Sequence, residues 1–219
     1  MKKISVVMVV GMIGLMLMAG SAMAADTAGK IGIGLELGYN QISDTSIPDA
    51  PGIDGEFDGA FIFGANADYF FTDFFSLEMF LGYTATDMDA SGFGVSIDVG
   101  EVTQVPWTLT ARLHYPNDSI VSPYIGAGVG YYFNDFDVSS TMVNNAAPQS
   151  YGIDLENSFG FHVNGGAEVF VDENVAFDLD LKYTWNNADW DENVNGVTIT
   201  SGDIDMDAFT ATVGVKYYF

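Results

Sequence analysis

Every large apolar residue between Val175 and Trp185 stands at an odd position: Val175, Phe177, Leu179, Leu181, Tyr183 and Trp185. The even positions carry Ala176, Asp178, Asp180, Lys182 and Thr184. A strict period of two makes a β-strand with one apolar and one charged face. Such a strand has two resting places. In a soluble barrel the apolar face points inward, and in a transmembrane barrel it points outward at lipid.

The rest of the chain decides between them. The alternation recurs in eight segments, near 31–41, 57–70, 75–86, 102–115, 121–133, 158–171, 175–187 and 208–219. The links between them alternate in length. Phe71-Thr72-Asp73, Pro116-Asn117-Asp118-Ser119 and Asp172-Glu173-Asn174 are tight turns rich in Asn, Asp and Pro. The other four, about 42–56, 87–101, 134–157 and 188–207, are long, polar and acidic and read as loops. An even number of roughly ten-residue strands with alternating short and long links is the pattern of a transmembrane barrel. Aromatics gather near the segment ends, as at Tyr69 to Phe71, Tyr131 to Phe133 and Tyr217 to Phe219, where girdles meet the lipid interfaces. The expected fold is therefore all-β: an eight-stranded antiparallel transmembrane β-barrel over residues 25–219. Both termini and the tight turns lie on the periplasmic side, and the long loops lie outside.

The N-terminus gives the compartment. Lys2 and Lys3 precede an apolar run from Ile4 to Met18, and Ala22-Met23-Ala24 offers small residues where a signal peptidase reads them. Residues 1–24 thus read as a secretory signal peptide, and the mature chain as one outer-membrane barrel of a Gram-negative cell. With no cysteine, it has no disulfides and no thiol chemistry.

Fixing the parity assigns the interior. Four basic residues follow the signal: Lys30, Arg112, Lys182 and Lys216. The last three fall on the inward face, where charges persist only when paired. An ion-pair plug is expected from Asp68, Glu78, Arg112, His114, Glu168, Asp178, Asp180, Lys182 and Lys216, mostly in the periplasmic half. Above it, Ile62, Gly64, Gly82, Thr84, Thr108, Tyr132, Gly160 and Thr184 make a milder interior. Inward glycines on the first and fifth segments are expected to leave room there. Pro106 removes a ladder hydrogen bond, and with Trp107 and Phe159 it forms a candidate lateral gate.

The stretch Gln104-Val105-Pro106-Trp107-Thr108-Leu109-Thr110-Ala111-Arg112-Leu113, followed by Ser122-Pro123-Tyr124-Ile125-Gly126-Ala127-Gly128-Val129-Gly130-Tyr131, resembles the OmpW family of small outer-membrane barrels, which includes alkane-uptake proteins. The likeness continues through Asn157-Ser158-Phe159-Gly160 and Gly165-Gly166-Ala167-Glu168 to Tyr217-Tyr218-Phe219, and so covers most of residues 100–219. The family often has a second proline where this chain has Trp107. The resemblance implies passive passage of small hydrophobic molecules, no enzyme and no cofactor.

The residues agree with a non-enzymatic reading. His114 and His162 are the two histidines, and neither stands in a Ser-His-Asp grouping. Asp203, Asp205 and Asp207 look like calcium ligands, but the sixth position of such a loop needs glycine and holds Ala208. No metal site is assigned. A formal charge of −24 makes nucleic acid an unsuitable partner. Acidic loops meet lipopolysaccharide phosphates only through divalent cations, or reflect a saline habitat where repulsion is screened. The expected partners are outer-membrane lipid, lipopolysaccharide and small hydrophobic solutes, and the expected state is a monomer. The alternative is a non-transporting barrel whose acidic loops bind a partner or surface. A continuous apolar space in the upper lumen favours the first reading, and a lumen filled from end to end the second.

Overall fold

The computed structural model describes residues 27–46, 52–117, 119–146 and 150–219; the segment read as a signal, 1–24, lies outside them. In chain order the elements are β1 (Ile31–Ile42), β2 (Thr45–Ser46), β3 (Ile53–Phe57), β4 (Ala60–Thr72), β5 (Phe75–Gly92), β6 (Val95–His114), β7 (Val121–Val138), α1 (Ser140–Ala146), β8 (Tyr151–Leu155), β9 (Ser158–Phe170), β10 (Val175–Val194), β11 (Val197–Asp205) and β12 (Ala208–Tyr218). Eight of them close an antiparallel ring in the order β1-β4-β5-β6-β7-β9-β10-β12, and β12 returns to β1. A closed ring leaves no free sheet edge, so the strands satisfy one another's backbone groups as the bilayer demands, with one break between β5 and β6 at Pro106.

Through the membrane the parity is uniform. Even-numbered residues of the ring strands turn inward there, and odd-numbered ones such as Leu35, Phe61 and Ile125 present apolar side chains outward. Higher up, a bulge where Met88 pairs with Gly100 but Asp89 with Asp98 turns Val99 of β6 inward instead. Edge-to-face pairs Tyr131–Phe133, Phe159–Phe161 and Tyr183–Trp185 mark one interface, and Tyr69–Phe71 and Tyr217–Phe219 mark the other. Phe70, Tyr132 and Tyr218 keep the even parity and are buried inside, so they are not part of the girdles.

At the end where the described chain starts and finishes, the turns are short. Asp73 Oδ1 accepts from Thr27 N at 3.0 Å and Ala28 N at 2.8 Å, fastening the N-terminal segment to the β4–β5 turn. Asn117 Oδ1 accepts from Ser119 N at 2.7 Å, and Asn174 Nδ2 donates to Tyr218 O at 2.6 Å.

The opposite end corrects the sequence reading. Most of what reads as long loops is strand. β5 has 18 residues, while β6 and β10 have 20 each, roughly twice the 9–11 that a tilted strand needs to cross a bilayer. β5 and β6 meet at Phe93 (φ 52°) and Gly94 (φ 81°), and β10 and β11 at Asn195 (φ 53°) and Gly196 (φ 76°). Two consecutive residues at positive φ make the turn whose twist suits a two-residue hairpin. β3 adds to β5, β2 to β3, and β8 and β11 flank β10, so the barrel wall continues above the membrane.

The outer face of this extension is acidic in rows. Asp87, Glu101 and Asp137 stand directly opposite one another across β5, β6 and β7, as do Glu56, Asp89 and Asp98 across β3, β5 and β6. Asp189 faces Asp203, and Asp191 faces Asp154. Like charges directly opposed across a ladder oppose pairing by up to about 1 kcal/mol each, and salt screens them over a Debye length of about 10 Å at 0.1 M. Removing the central charge of one row with Glu101→Gln should therefore stabilise the extension by several tenths of a kcal/mol at low salt. The gain should vanish in molar salt. Hydrogen exchange of the β5–β6 amides at the two salt concentrations measures it.

Candidate functional site

The lumen is stratified. At the terminal end Phe70, Phe170, Ala176 and Tyr218 form an apolar floor, with the Tyr218 ring 5.8 Å from Phe70 and 5.5 Å from Phe170. His114 belongs to this layer. Its ring nitrogens bond Ser76 Oγ at 2.9 Å and Ser122 Oγ at 3.1 Å, it packs 4.7 Å from Phe70, and it makes no ion pair among the described residues.

Above the floor lies a belt of charge. Lys216 Nζ stands 2.9 Å from Asp68, 3.1 Å from Glu78, 3.0 Å from Glu168 and 3.7 Å from Asp178. The Arg112 guanidinium reaches Glu78 at 2.5 Å, and Asp68 and Asp180 at 3.5 Å each; it lies 4.4 Å over the Tyr124 ring. Tyr124 Oη is 2.8 Å from Asp180 and 3.2 Å from Asp178. Asn164 Nδ2 donates to Asp180, and Asn66 Nδ2 joins Glu36 to Glu78. Glu36 also accepts from Thr212 at 2.9 Å. The fold thus brings together Asp68, Glu78, Arg112, Glu168, Asp178, Asp180 and Lys216, and adds Glu36, whose inward position was legible but whose partners were not.

Lys182 stands apart. It is half-buried, its ammonium lies 5.3 Å over the Phe80 ring, and no ion pair is recorded for it among the described residues. One inward pitch above Asp180, it looks into the chamber over the belt.

That chamber is small, about 30 Å³, and is bounded among others by Glu36, Ile62, Phe80, Pro106, Tyr132, Lys182 and Thr184. The room expected above the inward glycines is filled. A Cβ on Gly64 or Gly82 would come within 2.6 Å of the Phe80 ring, and one on Gly130 within 2.8 Å of the Tyr132 ring. The Lys216 stem lies over Gly34. The glycines accept long neighbouring side chains and leave no vestibule at this height.

Open space lies higher, inside the extension. A cavity of about 130 Å³ is lined by Phe57, Met88, Val99, Val102, Phe136, Ile153, Leu155, Trp190, Ile204 and Met206, with Thr45 and Asp203 at its edge. These residues fall almost wholly in the stretches that read as loops, so the candidate site was missed there. A buried cluster of Ile42, Phe57, Met88, Val102, Ala188, Met206 and Ala208 holds the walls together.

The wall has one interruption at barrel height. Pairing of β5 with β6 runs to Leu81↔Trp107 and resumes at Thr84↔Gln104, skipping Pro106 and Val105. On its other side β6 stays paired, Pro106 with Tyr132 and Val105 with Phe133. Trp107 is exposed on the lipid face beside the break. Phe159 is exposed on the same face but not beside the break: it pairs with Tyr131, itself paired with Trp107, and so lies two strands away from β6. Among the described residues no group of His, Cys, Asp and Glu is arranged to hold a metal.

The belt ties each cation to at least three carboxylates, so losing one leaves several buried charges unpaired. Arg112→Ala should cost about 3–5 kcal/mol, whereas Lys182→Met, which breaks no ion pair among the described residues and gives up a cation–π contact and a longer-range attraction to Glu36 and Glu78, should cost less, on the order of 2 kcal/mol. Urea unfolding of the two variants in lipid vesicles compares them, and equal losses would contradict the partition.

The sequence profile described as the OmpW family matches residues 28–219. An uncharacterized outer-membrane protein of Sinorhizobium fredii, y4mB, is 28% identical over 175 residues, which are 80% of this chain and 72% of that protein. The crystal structure of the outer membrane protein OprG from Pseudomonas aeruginosa superposes with a TM-score of 0.77 at 22% identity, over 89% of this chain and 98% of that one. The solution structure of outer membrane protein W from E. coli superposes with a TM-score of 0.52 at 20% identity, over 88% and 98%. Those likenesses give the same barrel, and the profile spans every ring strand: the chain is an outer-membrane β-barrel that belongs to the OmpW family.

Proposed function

We propose that the barrel carries small hydrophobic molecules passively from outside into the outer membrane. The observation that carries this is the order of the layers. An apolar cavity of about 130 Å³ sits at the outer end, and a belt of paired charges and an apolar floor close the lumen beneath it. A solute in the cavity is surrounded by aliphatic and aromatic surface, and each methylene it buries there is worth about 0.8 kcal/mol. Further axial travel would set an apolar body against ion pairs that leave no space for it. Lateral travel leads to lipid, where the same body is already favoured.

The exit we assign is the interruption between β5 and β6. Proline has no N–H to offer the ladder, and opposite it Gly82 carries no side chain to cover the missing bond. Pro106 borders the lower chamber and Trp107 the lipid, so an opening at the break would join lumen to bilayer within one pitch of strand. Vesicles with lipopolysaccharide in the outer leaflet, whose sugar layer resists apolar solutes, test the reading. The barrel should speed entry of an apolar solute and leave a polar solute of equal size unaffected. Pro106→Val, which restores the donor, should slow apolar entry several-fold while the barrel still folds. Equal acceleration of both solutes would sink the transport reading; unchanged entry through a folded Pro106→Val barrel would move the exit elsewhere.

A further inference from the structure

The chain passes from β11 to β12 through Met206 and Asp207. This joint is tied on every side. Met206 N donates to Asn186 O at 2.8 Å and Ser43 N to Asp207 O at 2.7 Å. The Asp207 carboxylate accepts from Asn186 N at 3.0 Å and from Tyr183 Oη at 3.2 Å. With Asp207 held in the wall, the alternation of an extended chain turns the preceding side chain to the lumen. Met206 is 2% exposed and packs with Ile42, Val102, Ala188 and Ala208.

Its position is singular in one respect. Of the linings of the apolar cavity and the polar chamber, Met206 alone is shared. One side chain therefore divides the space where an apolar solute rests from the space onto which Pro106 opens. Its inward neighbours Ala188 and Ala208 are too short to replace it. A methionine is suited to such a partition, because it is unbranched, has three rotatable bonds and adapts to irregular gaps. Below it the surroundings change from aliphatic to polar, so what passes Met206 also passes from one solvent to another.

The geometry points to Met206 as the residue that sets the depth of the solute cavity, and thus the length of apolar chain the barrel accepts. This rests on the cavity being the solute site. The effect is steric. Cutting the side chain back to Cβ would join the two spaces into one that reaches Pro106, and an aromatic ring would hold them further apart. If Met206 were packing alone, its loss would be absorbed by collapse of the cluster, and the accepted length would not change.

Trp190 lines the cavity, so heavy-atom quenching of its fluorescence by 1-bromoalkanes reports a chain inside. The barrel in lipid nanodiscs is titrated with bromoalkanes of rising length, and a Trp190→Phe barrel supplies the signal of the other tryptophans for subtraction. In the wild type, affinity should rise with length and then level off. In Met206→Ala the levelling-off should move to longer chains, each newly enclosed methylene tightening binding about four-fold. In Met206→Phe it should move to shorter ones, and this variant decides the matter if Met206→Ala does not fold. The same limit in the wild type and in the folded variants would overturn the assignment to Met206. Absence of Trp190 quenching at every length in the wild type would instead overturn the cavity as a solute site, and this inference with it.

Discussion

The bilayer offers no hydrogen bonds, and the architecture follows from that. A sheet in lipid must pair every backbone group, so it must close, and eight strands close on a lumen that holds little more than its own side chains. Once the outer face is given to lipid, strict alternation hands the inner face to whatever polar residues the chain carries. Lys216 and Arg112 are the only ion-paired cations recorded inside the ring among the described residues, and each is ringed by carboxylates from several strands. Pairs between distant strands such as β4, β6, β9 and β12 tie the cylinder across its middle. They fill the lumen at mid-height and leave the open apolar space at the outer end.

Above the membrane the same strands reverse their faces. On β10, Phe177 to Trp185 look outward and Asp178 to Lys182 inward; a few residues on, Asp189 and Asp191 stand at odd positions and Ala188 and Trp190 at even ones. On β10 the backbone parity is unchanged while its chemistry inverts, because the solvent outside changes from lipid to water. The inversion falls at the height of Ile42, Ala188, Met206 and Ala208, where the apolar cluster begins. An apolar interior in water is an ordinary protein core, and this one has a hole in it.

This inversion explains what was legible in the sequence. Within the bilayer each strand, its parity and the inward set were readable, because lipid enforces a single pattern over every residue. Across the boundary the period-two signal changes sign and cancels over a window, so 87–101 and 188–207 look aperiodic and acidic. A local cue survived it: Asn195-Gly196 between Asp191 and Ile199 is a hairpin signature. Side-chain reach was not legible. Parity placed Lys182 beside Asp180 on one inward face, but the pitch of two residues lifts its ammonium away from the belt and onto Phe80. Parity likewise marked the glycines as small without revealing that Phe80 and Tyr132 lie across them.

The Phe80 ring joins these separate features. It fills the space over Gly64 and Gly82, carries the Lys182 ammonium on its upper face, and backs the stretch of wall where β5 and β6 lack pairing at Pro106. A Cβ on Gly82 would meet the Phe80 ring at 2.6 Å and Pro106 Cγ at 3.3 Å, so ring and proline close on the same point from two sides. At that point neither a ladder hydrogen bond nor a β5 side chain covers the backbone. On the β5 side the seam there rests on packing and not on a ladder bond, while on the other side Pro106 stays paired with Tyr132 of β7. Packing alone is broken at lower cost than a paired ladder, so of the two seams that β6 makes at this height the one with β5 is the weaker, beside the lipid-facing Trp107.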